Sequence, residues 1–591
     1  MRTNTNGQTG KLIADRRGEE IMEMMKALSP WAEVDYEDAK GLTPRVDTLD
    51  GKRIGLFAHF KGHSFLILDE IQKELTKRYP TATFTVLQYP RDTSEIENDP
   101  EFLLKFEEWL DGVDTVIAAY GDAGSCAMYH AYNTAFVEKL GKPAVLVAKD
   151  SVVMSARRGA SARICPELRI VVAPESLPDM SFVPALDQEL IDTVIHPNVV
   201  AIMDDIVDAL LAPLTEKEQA IPHSVANPFA GEVVEGTAQE INDIFYERGY
   251  TQGLPVAIPT EEAVSEMLRG TDLPRDYVVA KLPPMLGKAT VEKIAINAVM
   301  AGCLPIHMPV LIAAVEAMND PIIHLAGWTC SVAGFAPALC VNGPVARALN
   351  MNTNEAVLSM YFKSNACLAR ALAYIIQNIS GSRPGLEDNA YMGHEGRFWT
   401  VLAEDEANSP WEPLQTEYGF AEDDSTVFLY WYHDRAIFRG NRNVNYLLEK
   451  MCSYDNTWGF DPGCTFVITA GMAKILADAG YSRDDVREYI YEYARKSSDT
   501  INKRWMTDNN HMPKSGLPLP EKGCYSARKY WTKEHINIIV SGVAPIDRGV
   551  AQIGGGDHGG PACIKVRLPK NWDGLVAEYA PQVADPQFIR Y

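Results

Sequence analysis

The sequence predicts an α/β protein, with a doubly wound parallel sheet in the first part of the chain and a larger α/β (α+β) domain after it. Three observations support this fold class. Apolar segments of strand length alternate with helix-like segments between residues 53 and 174, the alternation returns after residue 425, and a long apolar region lies between them. With 591 residues, the chain is too long for one ordinary domain.

The first part of the chain contains five predicted strands separated by helices. The strand RIGLFAH comes first, and Ser64 is a candidate cap for the helix that follows it. The later strands are ATFTVLQYP, TVIAAYG, PAVLVAKD and LRIVVAP, with helices at residues 100–109 and after Cys126. Because parallel strands need right-handed helical crossovers, this order predicts a flavodoxin-like sheet with helices on both faces.

The segment TVIAAYGDAGSC ends one of these strands and begins a helix. Ligands of doubly wound sheets bind at the carboxyl ends of strands. The free N–H groups and the positive dipole end of a helix amino terminus stabilise a thiolate, so we expect a lowered pKa for the Cys126 thiol. We predict that Cys126 is a nucleophile, that Asp122 or His63 handles a proton, and that Gly124 and Ser125 belong to the same site.

Basic residues follow two of the other strands and are candidates for binding the substrate. Lys61 follows the first strand, and Arg157, Arg158 and Arg163 follow the fourth. Guanidinium groups hold carboxylates or phosphates through forked hydrogen bonds, which predicts an anionic substrate. A solvated or subunit-facing basic loop is the alternative.

A linker separates the two parts of the chain. Residues 213–238, PLTEKEQAIPHSVANPFAGEVVEGTA, are rich in proline, charge and small side chains. We therefore divide the chain into an N-terminal extension at residues 1–49, the flavodoxin-like domain at 50–212, the linker, and a large α/β domain at 239–591. A further division is expected near residue 425.

Polar side chains interrupt the long apolar region of the second part. Asn342, Asn365 and Arg370 are the candidates here. A buried amide without a partner costs about 1–3 kcal/mol, and a buried charge costs more, so such residues either bind a ligand or form a structural network. We predict that they bind the substrate, and a hydrogen-bond network is the alternative.

Two further groups could carry chemistry in the second part. Cys303 and His307 are four residues apart, a spacing that can share a metal or a proton on a helix, although Pro305 interrupts the helix. Asp557 and His558 lie in the glycine-rich segment IGGGDHGGPAC, which lacks the order of a dinucleotide fingerprint. No metal and no organic cofactor is predicted.

Composition limits the partners and the compartment. The 55 Lys and Arg against 79 Asp and Glu give a net charge of −24, which argues against binding to nucleic acid or to an anionic membrane. The apolar region has no unbroken span of about twenty residues. The polar start of the chain and ten scattered cysteines predict a cytoplasmic protein with reduced thiols. We expect a small-molecule substrate and a homo-oligomer.

The segment YGDAGSC resembles the UGSC-motif family of selenocysteine-containing proteins and their cysteine homologues, named for selenocysteine-Gly-Ser-Cys. The resemblance covers roughly residues 50–174. Gly124, Ser125 and Cys126 match the motif, but Ala123 replaces its first chalcogen, which puts redox cycling within the motif in doubt. The second part resembles the large domain that accompanies such proteins, in GYTQGLPV, CVNGP, SNACLARAL and EANSPWEPL.

The family's likeness to substrate-activating selenoproteins of amino-acid reductases implies chemistry at a carbon–nitrogen or carbon–sulfur bond. We therefore predict a thiol-dependent oxidoreductase or lyase that makes or breaks such a bond in a small anionic metabolite. One alternative moves the chemistry to the C-terminal domain, as an acid-base or metal-assisted lyase or hydrolase. Another is a non-catalytic subunit or scaffold, motivated by Ala123.

Overall fold

The computed structural model describes most of the chain. The described residues are 13–14, 20–21, 23–35, 41–58, 64–89, 95–163, 165–178, 188–221, 229–438, 440, 442–453, 463–497, 525–530, 532–543, 550–554 and 560–586.

The N-terminal domain is built on a five-stranded parallel sheet. Its strands are β1 (Arg53–Ala58), β2 (Thr83–Gln88), β3 (Thr115–Gly121), β4 (Ala144–Lys149) and β5 (Ile170–Ala173). They lie in the order β2-β1-β3-β4-β5, and each neighbouring pair is parallel. This is the flavodoxin-like order, and all five predicted strands are confirmed.

Helices cover both faces of this sheet. They are α1 (Ser64–Arg78), α2 (Pro100–Asp111), α3 (Gly124–Lys139), α4 (Val153–Ala162) and α5 (His196–Leu211). The apolar faces of α1 and α5 form one core with the sheet, and α2, α3 and α4 form the other. In α2 the buried residues Phe102, Phe106 and Leu110 recur every fourth position, and Asp99 accepts a hydrogen bond from the Phe102 N–H at 3.2 Å, which caps the helix.

Parts of the predicted N-terminal extension and of the predicted linker pair with one another and pack on the larger part of the chain. The strand Met25–Leu28 pairs antiparallel with Val233–Gly236. Two short strands, Ile13–Ala14 and Glu20–Ile21, pair with one another. The buried Lys293 amine donates to the carbonyl oxygens of Ser29 and Ala230, at 2.9 and 2.6 Å. Residues 25–32 therefore pack with the larger unit rather than standing apart from it.

The larger unit contains two four-stranded sheets, a two-stranded hairpin of Val278–Leu282 and Gly287–Thr290, and a two-stranded pair of Arg495–Ser497 and Tyr525–Arg528. Its strands are β6 (Val278–Leu282), β7 (Gly287–Thr290), β8 (Ala336–Asn342), β9 (Thr400–Ala403), β10 (Thr426–Tyr432), β11 (Arg435–Phe438), β12 (Cys464–Ile468), β13 (Ile536–Val540), β14 (Val550–Gly554) and β15 (Ala562–Lys565). The first sheet has the order β9-β8-β10-β15 and the second β11-β14-β12-β13. Because β10 pairs with β8, residue 425 does not divide the unit; the second sheet begins at β11, and β15 returns to the first.

Helices pack on the outer faces of both sheets. They are α6 (Ala238–Glu247), α7 (Glu261–Met267), α8 (Val291–Met300), α9 (Met308–Met318), α10 (Leu325–Cys330), α11 (Pro344–Ala348), α12 (Lys363–Ile375), α13 (Val444–Ser453), α14 (Ala470–Asp478), α15 (Arg483–Tyr493) and α16 (Trp572–Tyr579). In the described part of the chain no single helix has the length and apolar character to cross a membrane. One bent pair, Pro305–Met318 with Pro321–Cys330, meets those two criteria.

Candidate functional site

The candidate site lies where the strand order of the N-terminal sheet reverses. Strands β1 and β3 are neighbours, with β2 beyond β1 and β4 beyond β3. Sheets of this kind bind ligands in the crevice that opens at the carboxyl ends of the strands at this switch point. Residues 122–126 follow β3 directly, so the motif that the sequence singled out lies at this crevice.

The motif forms the first turn of α3. Ala123 is the residue before the helix, in an extended conformation with φ −137° and ψ 158°, and it makes no side-chain capping hydrogen bond. The first backbone hydrogen bond of the helix runs from the Ala127 N–H to the Ala123 carbonyl at 2.7 Å. The N–H groups of Gly124, Ser125 and Cys126 therefore lie before the first backbone hydrogen bond within the helix. The thiol is placed at the positive end of the helix dipole, as predicted.

Helix α3 is buried on nearly all sides, and its first turn touches the larger unit. A Cβ added to Gly124 would lie 2.6 Å from the Cys330 carbonyl oxygen and 2.9 Å from the Asn389 amide nitrogen. On another side, a Cβ added to Gly159 of α4 would lie 2.4 Å from the Met128 carbonyl oxygen. The motif is thus held between the N-terminal domain and residues more than two hundred positions later in the chain.

The motif side chains have little exposed surface. Cys126 is 5% exposed, Asp122 4% and Ser125 8%. A carboxyl, a hydroxyl and a thiol are therefore gathered in five residues and largely shielded from water. Shielding of this kind strengthens electrostatic interactions between them and a small ligand.

His130 is a neighbour of the thiol that the sequence analysis missed. It lies four residues after Cys126 on α3, a spacing that places the two side chains about 5–6 Å apart on one helix face. It is 1% exposed, and its ring lies 5.3 Å from that of Phe57. Burial lowers the pKa of His130 to about 3, against the opposing effect of its hydrogen bond to the Ala119 backbone. The imidazole is therefore neutral, and it cannot stabilise a thiolate as an imidazolium would.

A cleft opens between the two units beside α3. It consists of two adjoining cavities of about 490 and 600 Å³, within the size range of small-molecule sites. Tyr129 of α3 lines the first, one turn from Cys126. Carboxylates outnumber cations in the lining, which includes Glu95, Asp99, Glu97, Asp35, Asp320, Lys281 and Arg163. An anionic ligand is therefore disfavoured in this cleft, and the helix amino terminus is the better anion site.

The three predicted arginines do not form one cluster. They lie on or at the end of α4 rather than in a loop. Arg157 is exposed, and Arg158 donates to the Gly385 carbonyl oxygen of the larger unit at 3.3 Å. Arg163 pairs with carboxylates of residues 95 and 97, at 2.5 and 2.8 Å. Its charge is thus already compensated, so the predicted common anion site is not formed by these side chains.

The polar residues of the apolar region serve mainly as internal hydrogen-bond partners. Asn365 donates to a backbone carbonyl at 2.9 Å and accepts from a backbone N–H at 3.1 Å. Arg370 donates to the carbonyl oxygens of residues 254–255. Asn342 donates to the Glu404 carboxylate at 2.5 Å. These bonds favour the structural network over ligand binding, because a ligand would have to displace them.

The Cys303–His307 pair does not form a metal site. His307 Nδ1 accepts from the Leu304 N–H at 2.8 Å, and Nε2 lies 3.0 Å from the Ser364 hydroxyl oxygen. Both ring nitrogens are used, which leaves none to bind a cation. Within the described ranges, no group of three or more His, Cys, Asp or Glu side chains has the arrangement of a metal site.

Four predicted residues lie outside the described residues. They are Lys61 and His63, which follow β1, and Asp557 and His558 in the glycine-rich segment. Their predicted roles therefore stay predictions.

Comparison with known families assigns the first part of the chain. Residues 26–212 match the model of the UGSC family. The match covers the five-stranded sheet, its helices and the motif at α3. A search of curated proteins gives no match to the chain.

Proposed function

Since residues 26–212 form a domain of the UGSC family, we propose that the protein is an enzyme that uses Cys126 to make or break a carbon–nitrogen or carbon–sulfur bond in a small anionic metabolite. One observation carries this proposal. The thiol is the third residue of a buried helix, at the switch point of the sheet and against a second unit. A structural cysteine needs none of these three features.

The helix amino terminus serves two purposes in this mechanism. Its N–H groups and dipole favour the Cys126 thiolate, and they also attract the anionic group of the substrate. The thiolate attacks the carbon that bears the leaving nitrogen or sulfur, so that a bond from Cys126 forms as the old bond breaks. The leaving group takes a proton from Asp122 or from water. His130 lies on the same helix face as Cys126 and stays neutral.

The alanine at position 123 favours bond cleavage or formation over redox cycling within the motif. Residue 123 lies one turn before Cys126, so a sulfur or selenium atom at this position would lie close to the Cys126 thiol. With alanine there, the motif holds one sulfur. A cytoplasmic location is part of this proposal, and it is in keeping with the nine cysteines in the described part of the chain, none of which is in a disulfide.

A labelling experiment tests the activation of the thiol. Limiting iodoacetamide is applied to the wild type from pH 5 to 9, and the modified peptides are identified by mass spectrometry. Cys165 is the matched control, because it is 8% exposed in the same domain and burial raises its pKa to about 12. We expect Cys126 to react first and at lower pH than Cys165. Equal or slower labelling of Cys126 across this range contradicts the proposal.

A turnover experiment tests the chemistry. Wild type, Cys126→Ser and Cys165→Ser are each incubated with a small-metabolite extract, and consumed compounds are identified by mass spectrometry. We expect a compound that the wild type and the Cys165 variant consume and the Cys126 variant does not. Equal consumption by the Cys126 variant moves the chemistry to the larger unit, and no consumption by any of them favours a non-catalytic subunit.

A further inference from the structure

Two cysteines that are 64 positions apart in sequence meet in the larger unit. Cys303 lies in the turn after α8, and Cys367 lies in the second turn of α12. The Cys367 thiol donates to the Gly302 carbonyl oxygen at 3.3 Å, next to Cys303 in the chain. The structure thus places the Cys367 sulfur against the peptide unit that joins Gly302 to Cys303.

The two thiols have different surroundings. Cys303 is 7% exposed, whereas Cys367 is only partly buried. Lys363 lies one turn before Cys367 on α12, and Arg370 lies nearly one turn after it. Cys367, the more exposed of the two cysteines, is therefore the one with a cationic residue on either side of it along its helix.

Protonation follows from these surroundings. The neighbouring Cys303 thiol lowers the pKa of the Cys367 thiol, and the charges of Lys363 and Arg370 lower it further, against the effect of burial. Burial raises the pKa of the Cys303 thiol well above its usual value. Cys367 is thus the attacking sulfur of a dithiol and Cys303 the one that keeps its proton.

We propose that Cys367 and Cys303 form a thiol–disulfide exchange site whose oxidant is a low-molecular-weight disulfide. The Cys367 thiolate attacks one sulfur of that disulfide, which forms a mixed disulfide and releases one small thiolate. Cys303 then loses its proton and attacks the Cys367 sulfur, which forms the protein disulfide and releases the second small thiolate. Two protein thiols are oxidised, and one small disulfide is reduced to two thiols.

The local structure allows the required approach. A disulfide needs the sulfurs at about 2.05 Å, so the two side chains must rotate toward each other. Cys303 lies in a turn, preceded by Gly302 at φ +77°, and Cys367 lies on the surface of α12. The site is independent of Cys126.

The test uses the full-length wild type and glutathione disulfide as the probe. Protein is sampled during oxidation, quenched with acid and mapped by mass spectrometry without reduction. We expect a peptide pair cross-linked through Cys303 and Cys367. In Cys303→Ala, we expect glutathione to remain on Cys367. Cys452 is the control for exposure, because it is also partly buried while burial raises its pKa to about 12. Cys367 should react about tenfold faster than Cys452, or more.

Two results overturn the proposal, and both are read from the wild type, so a variant that fails to fold does not block the test. One is a wild type in which glutathione stays on Cys367 and is never displaced by Cys303. The other is a wild type in which Cys303 and Cys367 remain reduced while Cys452 is modified. Cross-linking reversed by dithiothreitol supports the proposal.

Discussion

Replacing Gly124 with alanine should push the motif away from the larger unit. The added Cβ would lie 2.6 Å from the Cys330 carbonyl oxygen and 3.0 Å from the Asn389 Cβ. Atoms pack comfortably at about 3.5 Å, so the carbonyl would have to move by roughly 0.9 Å. That shift disturbs the hydrogen bond from Asn389 to the same carbonyl, which is 3.1 Å long.

The magnitude follows from two opposing effects. Overpacking of this kind costs about 1–3 kcal/mol. The smaller conformational freedom of alanine in the unfolded chain returns up to about 1 kcal/mol. We expect Gly124→Ala to lower the free energy of unfolding by about 1–2 kcal/mol. Because the contact shields the motif, we also expect iodoacetamide to label Cys126 faster in this variant.

Urea unfolding followed by tryptophan fluorescence measures the loss, and peptide mapping measures the labelling. Gly231→Ala is the control, since an added Cβ there has no other atom within 4 Å. It should change the unfolding midpoint little. If both variants unfold and label like the wild type, the first turn of α3 is not packed against the larger unit, and the reasoning that places the site between the two units is wrong.

Two further predictions concern single side chains. The new thiol of Ala123→Cys should form a disulfide with Cys126 on mild oxidation with glutathione disulfide, because the two positions face each other across the first turn of α3. A stable mixed disulfide between glutathione and either cysteine contradicts this geometry. Burial raises the pKa of the Glu404 carboxyl in the folded chain to about 7, whereas the same carboxyl in the unfolded chain titrates near about 4.3. Between these pH values the folded chain therefore binds one proton more than the unfolded chain. The stability of the wild type relative to Glu404→Gln should therefore fall as pH rises from about 5 to 7, by at most about 1.4 kcal/mol per pH unit. Urea midpoints measure this difference, and a difference that stays constant with pH contradicts the prediction.

The sequence was sufficient for the N-terminal sheet because its three central strands, β1, β3 and β4, are buried almost throughout. Such strands appear as apolar runs between helix and turn signals, and the crossover rule then gives the handedness of the connections between them. The position of Cys126 followed in the same way, since a strand that ends at residue 121 fixes where the next helix begins. His130 was also within reach, because its spacing from Cys126 is visible in the sequence CAMYH.

The rest depended on contacts between distant parts of the chain. Nothing near Arg163 in sequence indicates that its charge is paired with Glu95. The same holds for Gly124, whose neighbours Cys330 and Asn389 belong to the other unit. Asn365 is buried, as expected for a residue that binds a ligand. Its hydrogen-bond partners, however, are backbone groups that only the fold brings together. The pairing across residue 425 is also a contact of this kind, because the strand after that residue pairs with β8.

The two thiol sites differ in the number of sulfurs, and this difference assigns their chemistry. The motif of α3 carries alanine at position 123, so Cys126 has no resolving thiol within the motif and is suited to form a bond that a later step breaks. Cys367 lies beside the peptide unit of Cys303, so on the second proposal it passes its bond to sulfur on to Cys303. On these two proposals, nucleophilic chemistry belongs to the UGSC domain, and two-electron thiol chemistry belongs to the larger unit.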